Sequence, residues 1–297
     1  MKILAKYGEE GIANVYVAEI SSGKKVEFVE STNPKLGYKN KCVIIISTLF
    51  GCPIRCKFCD AGGSYDGKLS KNDLLDQIDF VIKNRFPNLN PNSCKKLKIQ
   101  FARMGEPAFN MNVLEVLKEL PERYNIKIIP SISTVAPNNM DKFFEELIEL
   151  KKKYFPNNFQ MQFSIHSTDE EYRNWLIPVK KWPFEKIVEY VEQFYDKDGK
   201  KITLNFAITE KTPIDVNIIK NIFPKNKCLI KITPVNPTHS AKKYDINSTN
   251  KDEKFYDKIV KDFEKIGFET ILSIGENEEN NIGSNCGQYL SNYISHN

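Results

Sequence analysis

Three cysteines, Cys52, Cys56 and Cys59, lie within the run Gly51-Cys52-Pro53-Ile54-Arg55-Cys56-Lys57-Phe58-Cys59. The spacing C-x3-C-x2-C puts three thiolates on one tight loop, enough for three corners of a [4Fe–4S] cube, which normally takes four thiolates. The fourth iron is left for a ligand that the protein does not supply. A closed zinc site is the competing reading, but such sites reach four ligands by pairing two knuckles or adding histidines. Here Cys42, Cys94, Cys228 and Cys286 stand singly, and His166, His239 and His296 are scattered along the chain. Seven cysteines in 297 residues, with no secretory leader in view, read as intracellular thiols rather than a disulfide framework.

The elements that must position this loop alternate. Strand patterns fall at residues 42–47, 97–101, 126–129, 160–165, 202–208 and 229–232, with a weaker one at 270–273. Amphipathic helical patterns fall between them, at 70–82, 111–120, 141–154, 184–194, 213–222 and 252–266. Repeated β-then-α units give an α/β fold with a parallel sheet and helices outside it. The cysteine loop directly follows the first of these strands, where an α/β barrel carries its active site. Ahead of it, 13–20 and 25–30 flank Ser21-Ser22-Gly23 and predict a β-hairpin capping the barrel. Three segments result: a hairpin extension over 1–40, a barrel over 41–275, and a polar tail over 276–297 that carries Cys286.

Composition excludes little but agrees with an enzyme. A chain of 297 residues buries a large core, and barrels of this size commonly form one domain. No run approaches the roughly 18 apolar residues of a membrane span, and the first residues lack a signal-peptide pattern, so a cytoplasmic protein without membrane contact is expected. The formal charge of +5 comes from 43 basic and 38 acidic residues, with the lysines dispersed rather than gathered in a stripe. Dispersed lysines read as a solvated surface more than as a nucleic-acid track.

The cysteine loop, with aromatic Phe58 before the third cysteine, resembles the signature of the radical SAM superfamily, in which the open iron chelates S-adenosylmethionine (SAM). Further motifs resemble the RlmN/Cfr family of ribosomal RNA adenine methylases. These are Met104-Gly105-Glu106-Pro107 with Asn110, Ser131-Ile132-Ser133-Thr134-Val135-Ala136-Pro137, Ser164-Ile165-His166-Ser167 with Arg173 and Pro178, Thr233-Pro234-Val235-Asn236-Pro237, and Asn285-Cys286-Gly287-Gln288. The resemblance implies a partial (β/α)6 TIM-type barrel with its N-terminal hairpin extension, a [4Fe–4S] cluster on Cys52, Cys56 and Cys59, and bound SAM.

It also implies roles in the SAM pocket. Glu106 would accept hydrogen bonds from the SAM ammonium, and Gly105 would let the backbone approach the ligand. Ser133, Ser164 and Asn236 would bond its carboxylate, ribose and adenine, although each alone reads equally as a strand-end cap. His166 is placed near SAM without a proton-transfer role, and a structural hydrogen bond is its other reading. Cys286 would receive a methyl group that a 5′-deoxyadenosyl radical then activates for addition to an sp2 carbon; its other reading is a tail thiol without chemistry. The reductant implied is a flavodoxin or ferredoxin.

Three departures bear on the substrate. The family's second catalytic cysteine, seven residues before the first cluster ligand, is Ile45 here, and Cys42 lies on the opposite face of the strand unless a bulge re-aims it. Only about forty residues precede the first barrel strand, so the family's N-terminal RNA-binding domain is not expected. Arg103 replaces a small residue. RNA and small molecules both stay open as substrates. So do two other functions: direct use of the adenosyl radical on a small molecule or peptide, and a non-catalytic iron–sulfur electron carrier or nucleic-acid-binding protein.

Overall fold

Alternating burial organises the barrel strands. In β4 (Cys42–Ile46) and β5 (Leu97–Phe101), every second side chain is buried and those between are half-buried. The buried set joins one large apolar core beneath α1 (Lys71–Arg85), α2 (Asn112–Arg123), α3 (Asp141–Tyr154) and α5 (Phe184–Phe194). The other set faces the concave side of the sheet. The computed structural model describes residues 1–33, 35–62, 65–90, 92–124, 126–246, 253–273 and 289–296.

Among the described residues, ten strands form one sheet in chain order. After β5 come β6 (Ile128–Thr134), β7 (Gln160–Ser164), β8 (Ile202–Ile208), β9 (Cys228–Pro234) and the short β10 (Thr270–Leu272). From β4 to β10 every neighbouring pair is parallel. The sheet is not closed, so the architecture is the expected partial barrel, with β10 as a seventh parallel strand. Four shorter helices complete the described helical layer with α8 (Glu253–Lys265): α4 (Glu170–Leu176), α6 (Val216–Ile222), α7 (His239–Lys243) and α9 (Tyr289–His296).

The hairpin forms from β2 (Ala13–Glu19) and β3 (Lys25–Ser31), but it does not cap the barrel. β3 runs antiparallel beside β4, with Val29 opposite Ile45, and so extends the sheet at its edge. Tyr16, Val26 and Phe28 share the main core with Ile44 and Ile46. A further strand, β1 (Lys2–Glu9), pairs with β2. None of its residues is buried, as suits an edge strand, and its apolar residues do not alternate cleanly enough to reveal it.

Candidate active site at the carboxyl ends of the strands

The loop after β4 is pinned before it reaches its cysteines. Buried Gln77 of α1 accepts from the Ser47 N–H at 2.9 Å and donates to the Ser47 carbonyl at 3.1 Å. Both backbone groups of the residue after β4 are thereby satisfied without a strand partner. The Phe50 N–H then bonds the Gly67 carbonyl at 3.0 Å, and Asp66 returns a bond to the Phe50 carbonyl at 2.8 Å. Two left-handed residues, Gly51 at φ 74° and Arg55 at φ 58°, fold the loop back on itself.

Cys52, Cys56 and Cys59 are half-buried, and each sulfur of the first two feels the charge of its neighbours. Cys52 and Cys56 pack with Phe58 against Ile54, Val135, Leu176, Ile177 and Val235. Burial in that apolar seat pushes the Cys52 thiol up to about 12 and Cys56 well above its usual value. A loop whose Cys52 and Cys56 thiols resist ionisation alone suits a cationic iron cluster, which would compensate their charge. Among the described residues no group of three or more His, Cys, Asp or Glu side chains stands close enough to hold a single metal ion.

Contacts from segments that follow later strands fix the outer face of the loop. The Phe58 ring meets the His166 imidazole edge-on, with centroids 5.1 Å apart. Thr238 donates to the Phe58 carbonyl at 2.8 Å, and Lys57 N–H donates to the Leu176 carbonyl at 2.9 Å. Asp60 accepts from the backbone N–H groups of His239 and Ser240 at 3.0 and 2.8 Å. Asp60, Thr238 and Gln77 were not singled out by sequence reasoning. No local spacing marks them, because their partners lie far along the chain.

His166 makes a structural hydrogen bond of the kind one of its two readings expects. It is buried at φ 63°, and its Nδ1 accepts from the Ala207 N–H at 2.9 Å. Burial, with Arg173 adding to it, lowers its pKa to about 3, so the ring is neutral. Arg173 in turn donates from Nε to the Ile165 carbonyl at 3.2 Å. The Ser164–Arg173 motif therefore holds the shape of this strand end.

Gly105 is required by packing. At φ +101°, a Cβ there would stand 2.6 Å from Leu49 Cβ and 2.8 Å from the Leu49 backbone nitrogen. The Met104 carbonyl already accepts from Thr48 N–H at 2.7 Å. The glycine thus lets the loop after β5 press against the segment that enters the cysteine loop, a reason distinct from ligand approach. Asn110 locks the same junction, donating to the Thr48 and Leu69 carbonyls at 2.8 and 2.9 Å.

Glu106 is a buried cap rather than a solvated loop acid. Its Oε1 accepts from Ala108 N–H at 3.1 Å and Thr134 Oγ1 at 2.5 Å, and its Oε2 from Val135 N–H at 3.0 Å. Burial raises its pKa to about 7, opposed by these three donors. A carboxylate offers about four lone-pair directions, so one remains for a further donor such as an ammonium.

Ser133, Ser164 and Asn236 are half-buried at the carboxyl ends of β6 and β7 and just after β9. Ser133 accepts from Gln162 at 3.2 Å and Gln100 at 3.5 Å, across the concave face. Ile45 occupies the same face of β4, whereas Cys42 is buried in the core beneath the helices. The β4–β5 register runs without a bulge from Cys42 to Ile46, so nothing turns Cys42 toward the site, and burial raises its thiol pKa.

Cys286 lies outside the described residues, but the helix that follows it does not. At the start of α9, Leu290 N–H donates to Glu27 Oε2 at 2.7 Å. Glu27, fully buried, also pairs with Arg103 Nε at 2.8 Å. Leu290 packs with Ala61 and Met104, and Tyr289 and Cys59 join the same cluster. The Tyr289 ring stands 4.7 Å from Tyr7. Arg103, which stands where the family has a small residue, therefore points inward to Glu27, in the buried pair that anchors the tail helix.

Comparison with known proteins agrees with this geometry. The family model described as the radical SAM superfamily matches residues 46–216. A probable dual-specificity RNA methyltransferase RlmN of Petrotoga mobilis is 23% identical over 92% of this chain and 73% of its own length. Its counterpart in Thermus thermophilus is 26% identical over 65% of this chain. The chain spans about half the length of that relative and of one from Dictyoglomus turgidum, at 51% and 54%. Among solved structures, a radical SAM methyltransferase from Sphaerobacter thermophilus superposes with a TM-score of 0.70 at 16% identity, covering 97% of this chain and 80% of the other.

Proposed function

The chain belongs to the radical SAM superfamily, and from that premise we propose that it is a methylase that carries a methyl group on Cys286 and delivers it to an sp2 carbon. Its cofactors are the superfamily's [4Fe–4S] cluster and SAM. When bound, they supply a 5′-deoxyadenosyl radical able to abstract a hydrogen atom, chemistry that no side chain provides. The protein's own part is to bind and to orient.

Cys52, Cys56 and Cys59 would hold the cluster. Glu106 would take the SAM ammonium on its remaining lone pair, while Thr134 and the Ala108 and Val135 amides keep the carboxylate aimed. Gly105 would act through the Leu49 contact, and Ser133, Ser164 and Asn236 line the strand ends where SAM would lie. His166 would hold Phe58, and with it the loop, without moving a proton.

The observation that carries the methylase reading is the docking of α9 on Glu27, Ala61 and Met104, beside Cys59. Cys286 is only three residues before Tyr289, a separation of at most roughly 10 Å of chain. The names of the relatives, which are RNA methyltransferases, add to the same reading. Direct use of the radical without Cys286 is the second reading, favoured by Ile45 standing where a second cysteine would face the lumen. The electron-carrier alternative is set aside by membership of an enzyme superfamily.

A flavodoxin- or ferredoxin-type protein would supply the electron. No helix among the described residues is long and apolar enough to cross a membrane. The test is anaerobic reconstitution with SAM and a reductant, followed by mass spectrometry of the Cys286 peptide. Methylated Cys286 supports the proposal; 5′-deoxyadenosine formation with Cys286 unmodified throughout turnover favours the second reading.

A further inference from the structure

The concave face of the sheet carries an unexpected pair of charges. Lys98 in β5 and Lys231 in β9 occupy half-buried inward positions, each between core-facing neighbours: Leu97 and Ile99, Ile230 and Ile232. Lys98 is three residues from the carboxyl end of β5. That places it roughly 10 Å below the catalytic end of the strand. Three strands separate β5 from β9 in the sheet. Both nevertheless stand on the inward face three residues before the carboxyl ends of their strands, and the charge of Lys231 contributes to the lowered pKa of Lys98.

Neither ammonium has a carboxylate partner among the described residues, and the inward positions of β4 to β9 carry no Asp or Glu. Other lysines near the sheet's lower edge are paired: Lys201 with Glu269 at 3.0 Å, and Lys227 with Glu192. Removing an ammonium from water without a counter-charge is unfavourable, and burial lowers Lys98 to about 7 and Lys231 below its usual value. Lys41, Lys96 and Lys200, at the amino ends of β4, β5 and β8, add positive charge at the same end. Above the pair, Gln100, Ser133, Gln162, Asn205 and Thr233 line the lumen with neutral donors and acceptors.

We propose that Lys98 and Lys231 form an anion site at the floor of the lumen that holds the phosphate of a small phosphorylated substrate. Two point charges match a dianionic phosphate monoester, and lysine serves such groups as a compact cation. Resting on the methylase reading, this assigns the substrate to phosphate esters of mononucleotide size. The sp2 carbon then lies toward the cluster and the phosphate toward the amino ends of the strands. Neutral amides between the two ends are suited to hydrogen-bonding a heteroaromatic ring.

The test uses the anaerobically reconstituted holoenzyme and titration calorimetry with inorganic phosphate, adenosine 5′-monophosphate and adenosine as probes. Lys98→Met and Lys231→Met keep the apolar stem and remove the charge, and Lys142→Met on exposed α3 serves as control. Phosphate and the monophosphate are expected to bind competitively, and each lumen substitution is expected to weaken both by about tenfold, the loss of one charge-assisted contact. Adenosine binding and the control variant should be unchanged.

Equal phosphate affinity in the wild type and the double variant overturns the site. So does an RNA oligonucleotide whose affinity falls with these substitutions while the monophosphate's does not, because it would assign the lysines to a polynucleotide track. Deleting unpaired buried charge is not expected to unfold the chain; should the double variant fail to fold, each single variant is read in the same way. The Cys286 peptide is analysed in parallel. Lysine-dependent phosphate binding with Cys286 never methylated keeps the site and removes the methylase reading, and the converse keeps the methylase and removes the site.

Discussion

Replacing Arg103 with methionine tests how the tail is held. In the wild type the guanidinium stands 2.8 Å from Glu27, with side-chain exposures of 2% and 0%, and Glu27 also accepts the Leu290 N–H at 2.7 Å. Taking away one member of such a pair leaves a carboxylate buried against a single amide. Buried pairs broken in this way cost about 3–5 kcal/mol, whereas replacing both members by apolar residues is close to neutral. Arg103→Met is therefore expected to lower unfolding stability by about 3–5 kcal/mol, and Glu27→Met,Arg103→Met to recover most of that loss. Denaturant unfolding gives the four corners of the cycle, and hydrogen exchange at Leu290 reports the docking of α9. The amide should lose protection in both variants that lack Glu27, even where global stability has returned. A cost below about 1 kcal/mol for Arg103→Met, or no recovery in the double variant, would show that the pair does not anchor the helix.

Other residues give sharper local tests. Gly105→Ala introduces a Cβ 2.6 Å from Leu49 at a left-handed φ and is expected to cost about 2–4 kcal/mol, from backbone strain and overpacking together, in a denaturant titration. Because burial lifts Glu106 from 4.5 to about 7, the folded chain without SAM holds this proton more tightly than the unfolded chain. Its contribution to stability is complete below about pH 4.5 and is lost as pH rises through about 7. SAM binding should run the other way, strengthening as pH rises through 7 and the carboxylate ionises; Glu106→Gln should weaken binding and flatten that dependence in a pH series. His166→Phe removes the acceptor for the half-buried Ala207 N–H and should cost about 1–3 kcal/mol and speed cluster loss to a chelator. The shape of the activity–pH profile should not change, since the wild-type ring stays neutral. Cys56→Ser should abolish the cluster's visible absorbance and 5′-deoxyadenosine formation together, while circular dichroism stays that of the wild type.

What was legible in the sequence was what is local. The C-x3-C-x2-C spacing, the alternation that separates Ile45 from Cys42, and the β-then-α rhythm all act over a few residues, and the structure repeats them. The edge strand β1 escaped because Lys2–Glu9 has no buried residue and no clean period. Gly105 was read as room for a ligand; its packing against Leu49 was not visible in the sequence, because Leu49 lies in another segment. Glu106 was singled out as a candidate site acid, but its burial and its bonds to Thr134 and Val135 needed the fold. Lys98 and Lys231 looked like two among many dispersed lysines. Only the strand register brings them to one lumen, just as only the docking of Leu290 gives Arg103 a purpose.

The central claim is that Cys286 carries the methyl group, and peptide mass spectrometry of anaerobically reconstituted enzyme measures it most directly. With SAM and a reductant present, Cys286 is expected to gain a methyl or methylene mass, and Cys286→Ala is expected to keep its cluster yet transfer no methyl to substrate. A Cys286→Ala variant that still methylates its substrate at the wild-type rate would contradict the account.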